Sequence, residues 1–226
     1  MELIRFEYRR ADEEPDETLE VDDDATARRT VTGAGSGAAE IGWWRGTVDA
    51  SVLDHIRAAR NNRAPAAVDH VAPAVGQWWA VLDDRQRPTT ADAALAALVS
   101  IITTAVSVPE TVVSAAGWTE TWDDEPAPVV LLRLRCIGDT PGDIRFDDET
   151  DAPVAAFVTD EMETLGFLGS TFTVAPPTEA TAVVRQRPPT DGRLWLEGTL
   201  ASAVDADRGL MRFRLIAAVA SEPPAE

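Results

Sequence analysis

Residues 89–109 read TTADAALAALVSIITTAVSVP, and this stretch decides the fold. Leu95, Leu98, Val99, Ile102, Ala105 and Val106 recur at i, i+3, i+4 and i+7, so on a helix they share one face. The other face carries Ala93, Ala96, Ala97, Ser100, Thr103 and Thr104, small enough for a sheet or second helix to come close. Thr89 and Asp92 give a Thr-x-x-Asp start signal, and Pro109 blocks a long continuation. The pattern predicts a central buried helix. It carries no charge from Ala93 to Pro109, but it is short, rich in Ala, Ser and Thr, and lacks Arg or aromatic flanks. A membrane span is therefore not the reading.

Toward the N-terminus the chain reads as β. Ile4, Phe6 and Tyr8 alternate with Arg5, Glu7 and Arg9. Further strands are predicted at residues 18–21, 27–32 and 41–49, with Arg28 and Arg29 placed to answer acids across a hairpin. A helix follows, with Ser51 and Asp54 as a capping box and Val52, Leu53, Ile56 and Ala59 as its apolar face. Residues 63–76 form a Pro-containing connection, and 77–82 another strand.

Beyond the central helix, the Val and Thr content of residues 111–122 favours strand, and residues 129–137 give the clearest strand. A third helix is predicted from Asp151, with Val154, Phe157, Val158, Met162 and Leu165 on one face and Gly166 as its stop. Residues 171–174, 180–186, 193–201 and 209–220 read as an antiparallel meander. The expected fold class is α+β, a mostly antiparallel β-sheet with about three helices packed against it. The expected organisation is a β-rich unit over 1–63, a helix-and-sheet unit over 64–221, and a disordered tail at 222–226.

Composition limits function. The chain has 226 residues and a net charge of −19, which repels nucleic-acid phosphates and anionic membranes and favours basic partners. Every basic side chain is Arg, which excludes Schiff-base, P-loop and kinase-type lysine chemistry. Cys136 is alone and lies in an apolar run, VVLLRLRCIG, so an inert core thiol is the reading. The first residues are charged throughout and do not resemble a signal peptide, so the cytoplasm is the expected location.

Residues 33–38, GAGSGA, match G-x-G-x-x-G/A. Such glycines let amides approach a pyrophosphate at a helix start, but ARRTVT precedes them and Trp-Trp-Arg-Gly follows. The reading is a hairpin loop, with no cofactor. His55 and His70 with Asp69 lack the spacing of a metal site, and no G-x-S-x-G elbow surrounds Ser51. No catalytic or metal-binding residue is assigned.

Two features remain. One is the acidic run Asp12, Glu13, Glu14, Asp16, Glu17, Asp22, Asp23 and Asp24, which lacks the spacing and glycine of a calcium loop. The other is the pair of doublets Trp43-Trp44 and Trp78-Trp79 in a chain with seven Trp and one Tyr. Neighbours on a strand point to opposite faces. One Trp of each doublet is then left outside unless a helix and a loop cover both faces. Trp44 and Trp79 are the candidates for outward aromatics. The resulting expectation is a non-catalytic acidic interaction protein, adaptor or immunity/antitoxin-like. It would dock a basic protein partner through these acids and Trp residues. The alternative is a small-molecule binding protein or enzyme with a Trp-lined pocket.

Overall fold

The alternation in the first nine residues is realised as strand β1 (Glu2–Arg9). The computed structural model describes residues 1–9, 15–35, 37–61, 76–82, 85–123, 128–147, 154–158, 164–167, 171–174, 178–184, 191–205 and 208–223. The chain divides into two units, residues 1–36 with 43–109 and residues 37–42 with 110–226.

In the first unit β1 lies between β2 (Glu17–Asp22) and β5 (Gln77–Leu82), antiparallel to both. Phe6 stands opposite Leu19 on one side and Ala80 on the other. The strands β3 (Thr26–Val31), β4 (Glu40–Thr47) and β6 (Arg85–Pro88) complete the order β4-β3-β2-β1-β5-β6. The expected cross-hairpin pairing forms: Arg28 reaches Asp22 at 3.3 Å and Arg29 reaches Glu17 at 2.7 Å.

One face of this sheet, with Ile4, Phe6, Leu19, Val21, Ala27 and Ala80, is buried. Two helices pack on the sheet, α1 (Ala50–Asn61) and α2 (Ala93–Ala105). They bury Val52, Leu53 and Ile56 from α1 and Leu95, Leu98, Val99 and Ile102 from α2. Full burial of one such aliphatic side chain contributes about 1.5–3 kcal/mol. The α2 cap is Asp92, whose carboxylate accepts from Ala94 N at 2.9 Å and Leu95 N at 3.4 Å. Thr89 instead opens a 3-10 turn (Thr89–Ala91) and its hydroxyl donates to the Trp78 carbonyl. At the other end of α2, a Cβ on Gly46 would collide with the Ala105 carbonyl, so glycine lets β4 pass the helix terminus.

The second unit holds β7 (Val108–Glu120), β8 (Val129–Gly138), β9 (Gly142–Phe146), β10 (Val154–Val158), β11 (Thr164–Phe167), β12 (Thr171–Val174), β13 (Thr178–Val184), β14 (Arg193–Ser202) and β15 (Leu210–Ala220). Their pairing runs β11-β10-β13-β8-β7-β15-β14-β9-β12, antiparallel except for the parallel β7–β15 contact. The first and last strands of this path, β11 and β12, are three residues apart in the chain. Four Cα steps span at most about 15 Å, so the path must curl back toward its own start. Val112, Leu132, Ile144, Phe146, Leu200 and Leu215 are buried, and Phe146 meets Phe213 edge-on at 5.7 Å. Residues 37–42 belong here because Ala38 bonds to β15: its amide donates to the Arg214 carbonyl and its carbonyl accepts from Ile216 N.

The α+β expectation holds in its coarse form: β dominates, and helices pack on a sheet. The helix count is corrected from three to two among the described residues. The segment predicted as the third helix forms β10 and β11. Val154, Phe157 and Val158 are β-branched or aromatic and β10 has a ladder partner in β13, so tertiary pairing overrode the helical spacing. Asp151 and Met162 lie outside the described residues. Among the described residues no helix is long and apolar enough to cross a membrane.

Candidate functional site

The first hairpin pairs three of the acids expected to dock a partner with cations of the chain. Asp16 is buried: its carboxylate accepts from Gly35 N and its carbonyl from Thr32 N and Gly33 N. The loop glycines that mimic a phosphate cradle thus already serve the chain's own aspartate. Glu17 and Asp22 pair with Arg29 and Arg28, and Asp23 receives the terminal ammonium at 2.9 Å. Asp24 is exposed; bonding from the Thr26 amide holds its carboxyl below the usual range. Asp12, Glu13 and Glu14 lie outside the described residues.

The Trp doublets turn inward. Trp43, Trp44 and Trp79 are all buried. Both faces of the sheet are thus covered at Trp44 and Trp79, the case set against outward aromatics. The Arg29 guanidinium sits 5.1 Å over the Trp44 ring. Tyr8 packs on the half-buried Trp78 at 5.4 Å. In the second unit, Trp118 and Trp122 donate to the two oxygens of Glu120, and these bonds lower the Glu120 carboxyl below its usual range. Cys136 is buried, and burial pushes its thiol up to about 11, so thiolate is scarce near neutrality. His70 and Asp69 lie outside the described residues, and no cluster of three or more metal-ligating side chains occurs among the described ones.

One concave feature of the first unit is more specific. A groove of about 440 Å³ runs between α1 and α2. Val52, Ala58 and Ala59 of α1 and Ala94, Leu95, Ala97, Leu98 and Ile101 of α2 form its apolar walls. Of the small α2 face foreseen in the sequence, Ala97 lines this groove. Ala94 and Ala97 are exposed, and so is Ile101, at 48%. Polar groups converge from three elements: His55, Asp92 and Arg87. One oxygen of Asp92, Oδ1, accepts from two α2 amides. His55 turns Nδ1 to the Ser51 carbonyl at 2.7 Å, leaving Nε2 without that bond.

Arg87 is the unusual member. It stands opposite Ala80 on the β5–β6 ladder, beside the buried face. Its Nε is sealed from solvent without an acceptor, and among the described residues its guanidinium makes no hydrogen bond or ion pair. Buried guanidinium nitrogens normally have acceptors, because loss of water is otherwise uncompensated. Sequence reading passed over Arg87 because Arg85-Gln-Arg-Pro88 carries no apolar run. Two Arg on alternate positions beside a strand were the available signal.

The sequence matches no protein-family model, and no match appears among curated proteins or solved structures.

Proposed function

We propose that the protein is a small-molecule binding module whose ligand lies in the groove between α1 and α2. The observation that carries this reading is Arg87, a cation without a counter-charge among the described residues, at the edge of an apolar cleft. Small-molecule sites combine apolar walls with a few convergent polar groups in cavities of about 300–1,000 Å³, and the groove falls in that range. No wall residue of the groove is a Trp, so the reading departs from the Trp-lined pocket considered at first.

The test uses the apolar dye anilinonaphthalene sulfonate. Ala97 is exposed on α2, so Ala97→Phe fills the cleft at a stability cost expected within about 0.5 kcal/mol. Wild-type protein should enhance the dye's fluorescence saturably, and the filled variant should not. Equal enhancement by both proteins would refute the reading.

A second reading has its own support: docking of a basic protein partner on the acidic surface. Asp23 and Asp24 are exposed at the β2–β3 turn of a chain carrying −19. Such a complex should weaken steeply from low to molar salt. A complex that ignores salt would rule this version out.

A further inference from the structure

We infer that the groove selects a single-chain amphipathic carboxylate, such as a medium-chain fatty acid, with the carboxylate at Arg87 and the chain along α2. This inference rests on the small-molecule reading above and specifies its ligand class. The walls are aliphatic: Val52, Leu95, Leu98 and Ile101, with alanines between them. They offer no aromatic ring to stack on and little polar surface to orient a sugar or nucleotide. A flexible alkyl chain is the shape that a narrow cleft between two helices accepts at low cost.

The polar end fixes the charge. A guanidinium presents paired donors that match a carboxylate. Asp92 lines the same groove, with its Oδ1 accepting from the amides of Ala94 and Leu95, but it makes no ion pair with Arg87. The Arg87 guanidinium, without an acceptor among the described residues, is matched by an incoming anion. His55 also lines the groove with Nδ1 on the Ser51 carbonyl, and its Nε2 donates to a carboxylate only when the ring is protonated.

The global field argues the other way, which makes the inference discriminating. A protein of net charge −19 attracts cationic amphiphiles and repels anionic ones. Only a local site can reverse that order. The whole chain is titrated calorimetrically with dodecanoate, dodecanol and dodecylammonium, each below its micelle concentration. Wild type should bind dodecanoate about tenfold or more tighter than dodecanol, the scale of one charge-assisted hydrogen bond. Arg87→Met should remove that advantage and leave dodecanol binding unchanged. Ala97→Phe should abolish binding of all three.

The arms separate the two levels. Dodecanoate no tighter than dodecanol, or a preference that survives Arg87→Met, overturns the carboxylate assignment while the groove reading stands. Binding of none of the three to wild type, or binding undiminished in Ala97→Phe, overturns both. The folded state of each variant is checked by its far-ultraviolet spectrum. Should Arg87→Met not fold, Arg87→Lys serves. It keeps the charge but loses the paired donors, and it should bind dodecanoate less tightly than wild type with dodecanol unchanged.

Discussion

Ile101 and Ile102 are chain neighbours with opposite fates, and replacing each by Ala tests the orientation of α2. Ile102 is fully buried against the sheet, whereas Ile101 is 48% exposed at the groove. A buried Ile→Ala change costs about 2–5 kcal/mol, the lost transfer energy plus the cavity left behind. Near 3 kcal/mol is expected for Ile102→Ala. With a urea slope of about 2 kcal/mol per molar, the midpoint should fall by about 1.5 M. Ile101→Ala loses only part of that burial and gains the better helix propensity of Ala, so its net effect should stay within about 0.5 kcal/mol. Circular dichroism at 222 nm follows the relevant unit, since α1 and α2 both belong to it. Equal costs, or a larger cost at Ile101, would mean that α2 is turned by about one residue, 100°, from the orientation described. The apolar wall of the groove would then be lost.

Four further outcomes are expected. Asp92→Ala should cost about 1 kcal/mol by removing the α2 cap, with Asp92→Asn closer to wild type, read by the same urea titration. Burial, and then the neighbouring Glu2, raise the Glu20 carboxyl above its usual 4.5, so its ionised form opposes folding. Glu20→Gln should therefore stabilise the protein at neutral pH, with the gain shrinking as pH falls toward the unfolded-state value, as thermal melts at several pH values would show. Cys136 should resist a thiol-reactive disulfide reagent in native protein and react fully in denaturant; rapid native labelling would contradict its burial. With −19 charges repelling one another, the melting temperature should rise with potassium chloride, and a flat response would show that the described ion pairs already absorb the repulsion.

The helix α2 was legible because thirteen residues with 3.6 periodicity and a capping Asp have few competing readings. The strands of the first hairpins were legible from alternation, and the Arg28 and Arg29 pairings from charge order. The segment around Phe157 was misread because its apolar spacing suits a helix and only the partner strand decides otherwise. At Trp44 and Trp79 two cases stayed open for a related reason. A strand pattern shows that neighbouring side chains diverge but cannot show that both faces are covered. The groove was half visible: the small residues of α2 were evident, but not that they would stay open. Arg87 gave only the weak signal of alternating Arg beside a strand, since its importance lies in the partners it lacks.

The exchange of residues 37–42 into the second unit carries a consequence for how the protein is made. Ala38 leaves the ribosome well before its hydrogen-bonding partners Arg214 and Ile216, which follow 176 and 178 residues later. At about 5–20 residues per second, the delay is roughly ten to thirty-five seconds. During that interval Ala38 lacks both of its bonds to β15. No single cut in the gene yields either unit whole. A chain stalled after Pro109 leaves Ala38 without β15, while one begun at Glu110 leaves the Arg214 carbonyl and Ile216 amide of β15 without Ala38.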